Sequence, residues 1–293
     1  MNMLSYIKKW LEKRKIKKHF KEYGSHIKKF DLEKEGFVEF TVWDNPLETP
    51  KSITQGMVDF YKQFVTEGCL AIDIGAHIGD TTIPIALAAG KTGTTLAFDP
   101  NPMVFKILEA NAKLNLDKTN IVPFNYAIAV EPGEYYFNSS EATHNNGGIS
   151  KKQKNKHGKY QLKNKVTAVN LLDFLKKDFN AFLNELGFLK IDIEGMDLEI
   201  LQSIKELIAK SRPTIIAECF RKLDQSDREK LFNLFEQIDF ELFYLESFNL
   251  NGKIQKISKK EDMSNWNHFN FCAIPKEKSE TVFNHYVQAQ LRK

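Results

Sequence analysis

The sequence predicts an α/β domain whose parallel sheet is covered by helices on both faces. Three observations carry that expectation. From Leu70 onward, short apolar runs alternate with stretches of helical periodicity, the pattern of strands buried on both sides by crossover helices. The first strand runs into a glycine-bearing turn, Asp73-Ile-Gly75-Ala-His-Ile-Gly79, that opens a helix. The next strand ends in Asp99, twenty residues beyond Gly79, where a nucleotide-type fold sets a carboxylate for ribose hydroxyls.

Composition agrees with a globular chain. Of 293 residues, 42% are apolar and 27% charged, ordinary values that leave room for one large domain or a domain with an appendage. Cys69, Cys219 and Cys272 lie in or beside apolar runs without CxxC spacing, so they read as buried thiols and fit a reduced, cytoplasmic setting. Apolar stretches stay too short for a transmembrane helix, and lysines follow the N-terminus too closely for a signal peptide. The net charge of +4 is uneven: residues 1–30 hold ten Lys/Arg against Glu12 and Glu22, net +8, so the remainder nets −4.

Met1–Lys29 spaces Leu4, Ile7, Trp10 and Leu11 as a helix, with lysines on the other faces. Such a helix either packs its stripe on the globule or a second subunit, or lies on an anionic membrane surface. Nucleic acid is a weaker third option, because few aromatics interleave the lysines. Phe37–Val42 alternates as a strand, Asp44–Pro50 is a turn-rich connector, and Ile53–Glu67 reads as a helix.

Strand Leu70–Ile74, helix Thr81–Ala89 and strand Thr95–Phe98 come next, then helix Asn101–Asn115 and strand Ile121–Ala129. Glu131–Lys165 breaks the rhythm: after a Pro132-Gly133 turn and a short strand at Glu134–Phe137, the chain turns polar through Asn145-Asn-Gly-Gly148. Lys151–Lys165 then holds seven lysines and no acid. This insert is either a solvated loop or a mobile flap that would attract an anionic substrate. Strand Val166–Val169, helix Leu171–Lys177, strand Phe188–Ile193 and helix Asp197–Ala209 resume the alternation. Strand Pro213–Cys219 and helix Asp227–Ile238 follow. Phe240–Leu245 and Phe269–Ile274 are late strands with an Asn251-Gly252 hairpin turn between them, and Ser279–Lys293 reads as a peripheral helix. The division expected is a basic helical extension and connector (1–50), a main domain (51–278) with insert 139–165, and a tail (279–293).

The glycine turn selects among nucleoside cofactors. A pyrophosphate favours Gly-x-Gly-x-x-Gly for a second close backbone approach, but His77 occupies the second position, and Asp73 adds a charge that repels phosphate. Asp73 suits a cationic amino or sulfonium group instead, which points to S-adenosylmethionine.

The chain resembles the class I methyltransferases, and more narrowly the FkbM family. The resemblance rests on Asp73-Ile-Gly75-Ala-His-Ile-Gly79-Asp-Thr81, Phe98-Asp99-Pro100-Asn-Pro, Tyr126-Ala127-Ile-Ala, Leu189-Lys-Ile-Asp-Ile-Glu-Gly195 and Arg212-Pro-Thr-Ile-Ile-Ala-Glu218. It implies a Rossmann-like fold with a seven-stranded, mostly parallel sheet and an antiparallel C-terminal strand. It further implies that Asp73, Gly75, Ala76, His77, Gly79 and Thr81 surround the methionine moiety. Asp99 and Pro100 would hold the ribose, and Tyr126 and Ala127 would border the adenine. His77 and Thr81 also have plainer readings as helix-entry residues. The family is associated with hydroxyls of sugars, glycans and secondary metabolites, so polysaccharide biosynthesis is the expected context.

Lys190, Asp192 and Glu194 alternate with apolar residues and therefore share one strand face. Asp192 and Glu194 fall at the carboxyl end, where Gly195 permits a turn, and Glu218 ends the next strand. Methyl transfer needs the acceptor held in line, and a hydroxyl acceptor gains from a base. Asp192 or Glu194 is the expected base or anchor, with Lys190 tuning the carboxylate, or else pairing with an acid structurally. No metal is expected. Nucleic-acid methylation is disfavoured, since Asp192-Ile-Glu-Gly stands where amino-methylating DNA enzymes carry Asn/Asp-Pro-Pro-aromatic, and the Pro-Cys of cytosine-C5 enzymes is missing. A non-catalytic nucleoside-binding module and an NAD oxidoreductase remain as rivals.

Overall fold

The computed structural model describes residues 3–153, 158–193 and 195–291. Helix α1 (Met3–Ile16) precedes a hairpin of β1 (Ser25–Leu32) and β2 (Gly36–Trp43), and α2 (Gln55–Tyr61) delivers the chain to the sheet. Strands and helices then alternate as β3 (Leu70–Ile74), α3 (Thr82–Ala89), β4 (Thr94–Phe98), α4 (Pro102–Ala112) and β5 (Ile121–Phe124). The insert and the chain on either side of it supply β6 (Ala127–Ile128), β7 (Gly133–Ser139), β8 (Gly148–Ser150), β9 (Tyr160–Gln161) and β10 (Val166–Val169). Alternation resumes with α5 (Leu171–Asp178), β11 (Leu186–Ile191), α6 (Asp197–Ser203), α7 (Lys205–Ser211), β12 (Thr214–Cys219) and α8 (Gln225–Glu236). The chain closes with β13 (Phe240–Leu245), β14 (Ile254–Ile257), β15 (Phe269–Pro275) and α9 (Lys276–Leu291).

The main sheet runs β14-β13-β15-β12-β11-β3-β4-β5. From β12 to β5 all neighbours are parallel, and β15 lies antiparallel between β12 and β13. This is the Rossmann-like α/β class read from the sequence. An eighth, edge strand is added: β14 pairs antiparallel with β13, and its Ile-Gln-Lys-Ile is too short and polar to stand out. The chain leaves β3 towards β4 and β5 and returns on the other side at β11, so a crevice opens between their carboxyl ends.

Local chemistry explains the elements. β3 is buried along its whole length and α3 on every side, hence neither carries a polar face. Asn101 caps α4 by accepting from Met103 N (3.1 Å), with Pro102 in the first turn. Asp224 caps α8 by accepting from Asp227 N (2.9 Å).

Several expectations change. Ser25–Leu32, assigned to the end of the basic helical extension, is a strand. Its lysines, Lys28 and Lys29, are exposed, one on each face of a hairpin in which Phe30 pairs with Val38. Val38, Phe40 and Trp43 are buried with Ile78 and Val104, so the hairpin belongs to the core of the main domain. Ile121–Ala129 divides because the Asn125 amide donates to the Asp99 carbonyl (2.8 Å), and β6 joins a second sheet ordered β6-β10-β7-β8, with β9 on β7. The insert is therefore built on its own small sheet. The Asp197–Ala209 helix breaks at Ile204 into α6 and α7. The C-terminal helix is not peripheral: Tyr286 is fully buried beside Phe60 and Phe64. Among the described residues no helix is long and apolar enough to cross a membrane.

Arg228 on α8 is 6% exposed and donates to the carbonyls of Leu223 (3.1 Å), Met263 (2.8 Å), Trp266 (2.8 Å) and Asn267 (2.5 Å). It thereby pins the segment ahead of β15. Arg228→Met leaves these acceptors without a donor, and urea denaturation is expected to show a loss of roughly 3 kcal/mol at unchanged slope.

Candidate active site

A cavity of about 500 Å³ occupies the crevice at the carboxyl ends of β3, β4 and β11. Its floor is the glycine turn. Gly75 has φ +77°, and a Cβ there would lie 2.0 Å from the Asp192 carbonyl oxygen, so the glycine serves the close approach of β3 to the end of β11. The N–H groups of Gly75 and Ala76 both donate to the Phe98 carbonyl (3.0 Å each), and Gly79 N–H donates to the Ala76 carbonyl (2.9 Å). His77 N–H donates to Asp99 Oδ2 (3.0 Å). The N–H groups of Gly75, Ala76, His77 and Gly79 are thus all used within the protein and are not offered to a pyrophosphate.

Asp99 is fixed on both sides, Oδ2 by His77 N–H and Oδ1 by Asn101 N–H (2.9 Å). Burial pushes its carboxyl up, opposed by the charge of His77 and by the Asn101 and His77 N–H groups. Each oxygen accepts one backbone bond, so capacity remains for a hydroxyl pair at the cavity wall. Pro100, Tyr126 and Ala127 line the same side, and the Tyr126 ring stacks on Phe124 (6.3 Å between centroids, 11° between planes).

Asp73 turns away from the cavity. Its Oδ2 accepts from the hydroxyls of Thr82 (2.7 Å) and Thr81 (3.1 Å), and Oδ1 faces the Lys190 ammonium at 3.3 Å. The cation expected beside Asp73 is thus Lys190, not a ligand group. Lys190 is 2% exposed and also lies 3.5 Å from Asp192 Oδ2. Burial alone would lower its pKa, but the Asp73 and Asp192 carboxylates outweigh that and raise it, so it is a cation at all ordinary pH. Asp192 is 40% exposed and lines the cavity together with Lys190. Thr81, Ala76 and His77 also reach the cavity wall, whereas Gly79 supports the turn behind it.

Glu218 is not at the cavity wall; it pairs with His268 (Oε1 to Nε2, 2.5 Å). Glu194 lies outside the described residues.

Other residues escaped sequence reading. Directly after the connector, Lys51 meets Asp80 (2.9 Å) and Glu48 (3.5 Å) at the cavity rim. Burial lowers the Lys51 pKa, but the two carboxylates together raise it. Asp80 belongs to the glycine-turn motif, whereas Glu48 and Lys51 lie in unremarkable sequence, and only the fold joins the three. His77 Nε2 reaches the Asn145 carbonyl (2.9 Å) and approaches Glu48 (3.8 Å), so the Asn-Asn-Gly-Gly run roofs the turn. Asp197 is a third unforeseen residue: 1% exposed, it accepts from Gly195 N–H (3.2 Å) at the start of α6. Burial, reinforced by the charges of Asp192 and Glu218, pushes it up to about 8. Among the described residues no three His, Cys, Asp or Glu side chains are placed to share a metal ion.

Residues 73–249 match the family described as Methyltransferase FkbM domain. The chain belongs to the FkbM methyltransferase family. The resemblance noted in the sequence therefore holds, and the matched span runs from the glycine turn through β11 and β12. Solved structures resemble it more distantly. The FkbM methyltransferase of Methylobacillus flagellatus shares 11% identity over 73% of this chain and 50% of its own, with a TM-score of 0.41. This chain thus spans half of that protein's length. A SAM-dependent O-methyltransferase of Thermotoga maritima shares 11% over 83% and 75%, TM-score 0.40. The TYW2 protein of M. jannaschii, solved in complex with AdoMet, shares 16% over 87% of each chain, TM-score 0.40. Likenesses this weak carry no argument about the reaction. No curated protein matches the chain.

The raised Asp197 pKa makes stability depend on pH. A carboxyl that titrates near 8 when folded and near about 4 when unfolded favours the native state fully below about pH 4, and that contribution is lost as pH rises towards 8. Denaturation midpoints of the wild type should therefore fall across this range relative to those of Asp197→Asn. Parallel curves would place the titration elsewhere.

Proposed function

We propose that the protein is an S-adenosylmethionine-dependent methyltransferase that methylates a hydroxyl of a sugar, glycan or secondary-metabolite acceptor. The observation that carries this reading is the juxtaposition, in one cavity, of a turn whose Gly75, Ala76, His77 and Gly79 N–H groups are already bonded, the Asp99 carboxylate, and the Lys190–Asp192 pair. A nucleoside without phosphates fits such a wall.

The residues suit the groups such a cofactor carries. Asp99 has acceptor capacity for two ribose hydroxyls, with Pro100, Tyr126 and Ala127 as the adenine side. Lys51 beside Glu48 and Asp80 offers one cation and two carboxylates within 3.5 Å, complementary to the carboxylate and amino group of an amino-acid head. Gly75, Ala76, His77 and Thr81 form the intervening wall, and Gly79 and Asp73 hold that wall from behind. When bound, the cofactor supplies an electrophilic methyl group on sulfonium.

On the acceptor side, Asp192 is exposed enough to meet a hydroxyl, accept its proton and fix its orientation. A positioned base of this kind contributes roughly 10²–10⁴-fold. Lys190 keeps that carboxylate in place from below through its own pairing with Asp73. Glu194 remains a candidate for acceptor contacts, whereas Glu218, paired with His268 away from the cavity wall, does not.

Titration calorimetry of the purified chain is expected to show binding of S-adenosylmethionine and S-adenosylhomocysteine and none of NAD; binding of NAD alone would refute the reading. Asp99→Ala should weaken S-adenosylhomocysteine about 10–100-fold, as lost hydrogen bonds to a charged group do. Asp192→Asn should reduce methyl transfer by at least about 10²-fold with cofactor affinity within a few fold. The acceptor assay uses methyl-labelled cofactor and fractionated glycan or lipid-linked precursors, and Asp192→Asn retaining full turnover would remove it as the base.

A further inference from the structure

The most strongly charged part of the molecule is joined to the roof of the cavity. After α1 the chain runs towards β1 along the loop that follows β7. Ala142 N–H donates to the Lys17 carbonyl (2.9 Å), and the Phe20 ring meets His144 (6.2 Å between centroids). The same loop is bound to the cofactor side, since the His144 carbonyl accepts from the Asn101 amide (2.5 Å) and the Asn145 carbonyl meets His77 Nε2. Residues 17–20 therefore sit on the roof of the cavity.

This segment leaves both charge and large apolar side chains in water. Lys13, Arg14, Lys15, Lys17, Lys18 and Lys21 are all exposed; of the nearby acids, Glu22 is engaged by Lys106 (3.3 Å) and the buried Glu141 faces the charge of Lys17. Trp10, Leu11 and Phe20 are 51%, 53% and 56% exposed. Aromatic and aliphatic chains interleaved with cations are what a surface-lying segment presents to a bilayer: apolar groups enter the acyl boundary while lysines meet anionic headgroups. We propose that residues 10–21 dock the protein on an anionic membrane surface, with the roof of the cavity turned towards it.

Two features favour a bilayer over a nucleic acid. Leu11 has no face for stacking a base, and the six cations are interleaved with only two exposed Phe, Tyr or Trp rings, Trp10 and Phe20. The rest of the chain nets −4, and its one other lysine-rich run is 151–165, so an anionic surface attracts the N-terminal segment most strongly. The proposal goes beyond the methyl-transfer reading and does not rest on it.

The test is co-sedimentation of the full chain, without cofactor, on phosphatidylcholine vesicles and on vesicles with about 30% phosphatidylserine. Binding is expected only to the second, weakening steeply as salt is raised. Each cation near the surface is worth about fivefold, so the variant Lys13→Gln/Lys15→Gln/Lys18→Gln should lose about 100-fold. Trp10→Ser/Leu11→Ser keeps the charge and should lose about tenfold or more through the missing insertion. Equal binding to both vesicles, binding to neither, full retention by either variant, or tighter binding of a single-stranded RNA oligonucleotide would each overturn the proposal.

Discussion

The buried ion pair between Asp73 and Lys190 is the constraint on which the site depends. An ammonium and a carboxylate with 2% and 0% exposure each forfeit several kcal/mol of hydration, and attraction offsets this only where further polar partners complete the cage. The Thr81 and Thr82 hydroxyls do so for Asp73, and Asp192 does so for Lys190. One cluster thus ties the middle of β3, the entry of α3 and the end of β11. These are the three elements that border the crevice.

With that knot in place, the rest of the crevice follows from backbone geometry. β3 and β11 approach so closely that the turn between β3 and α3 needs glycine at position 75. The turn then spends its N–H groups on the Phe98 carbonyl and on the Asp99 carboxylate. A turn that elsewhere cradles phosphate is here consumed in holding an acid. The two halves of the cavity differ accordingly: the Asp99 side is rigid and hydrogen-bonded from within, whereas Asp192 remains open to solvent.

The insert links the cavity to the N-terminal segment. Its loop is bonded at His77 and Asn101 on one side and at Lys17 on the other, so what touches the basic segment is one step of bonding from the cofactor wall. Arg228 plays a comparable part on the opposite side, where it pins the segment that brings His268 to Glu218.

The sequence by itself determined the α/β class, the succession of the central strands along the chain, the glycine turn with Asp99, and the placing of Lys190 and Asp192 on one face. These are legible because strand alternation, helix caps and turn residues are local and repeat along the chain. Family membership was legible too, as motif order survives where overall identity does not. What only the tertiary structure decided depends on contacts between distant residues. Asp73 proved to face Lys190, 117 positions away, because burial obliges each charge to find the other. Lys51, Asp80 and Glu48 meet only because the connector crosses the turn. Ser25–Leu32 became a strand because Val38, Phe40 and Trp43 of its partner needed a core to enter, and no local pattern in a lysine-rich segment announces that. Tyr286 was buried by packing against Phe60 and Phe64 from the far end of the chain. A single residue's period states which way its side chain points, but the fold alone decides what it meets there.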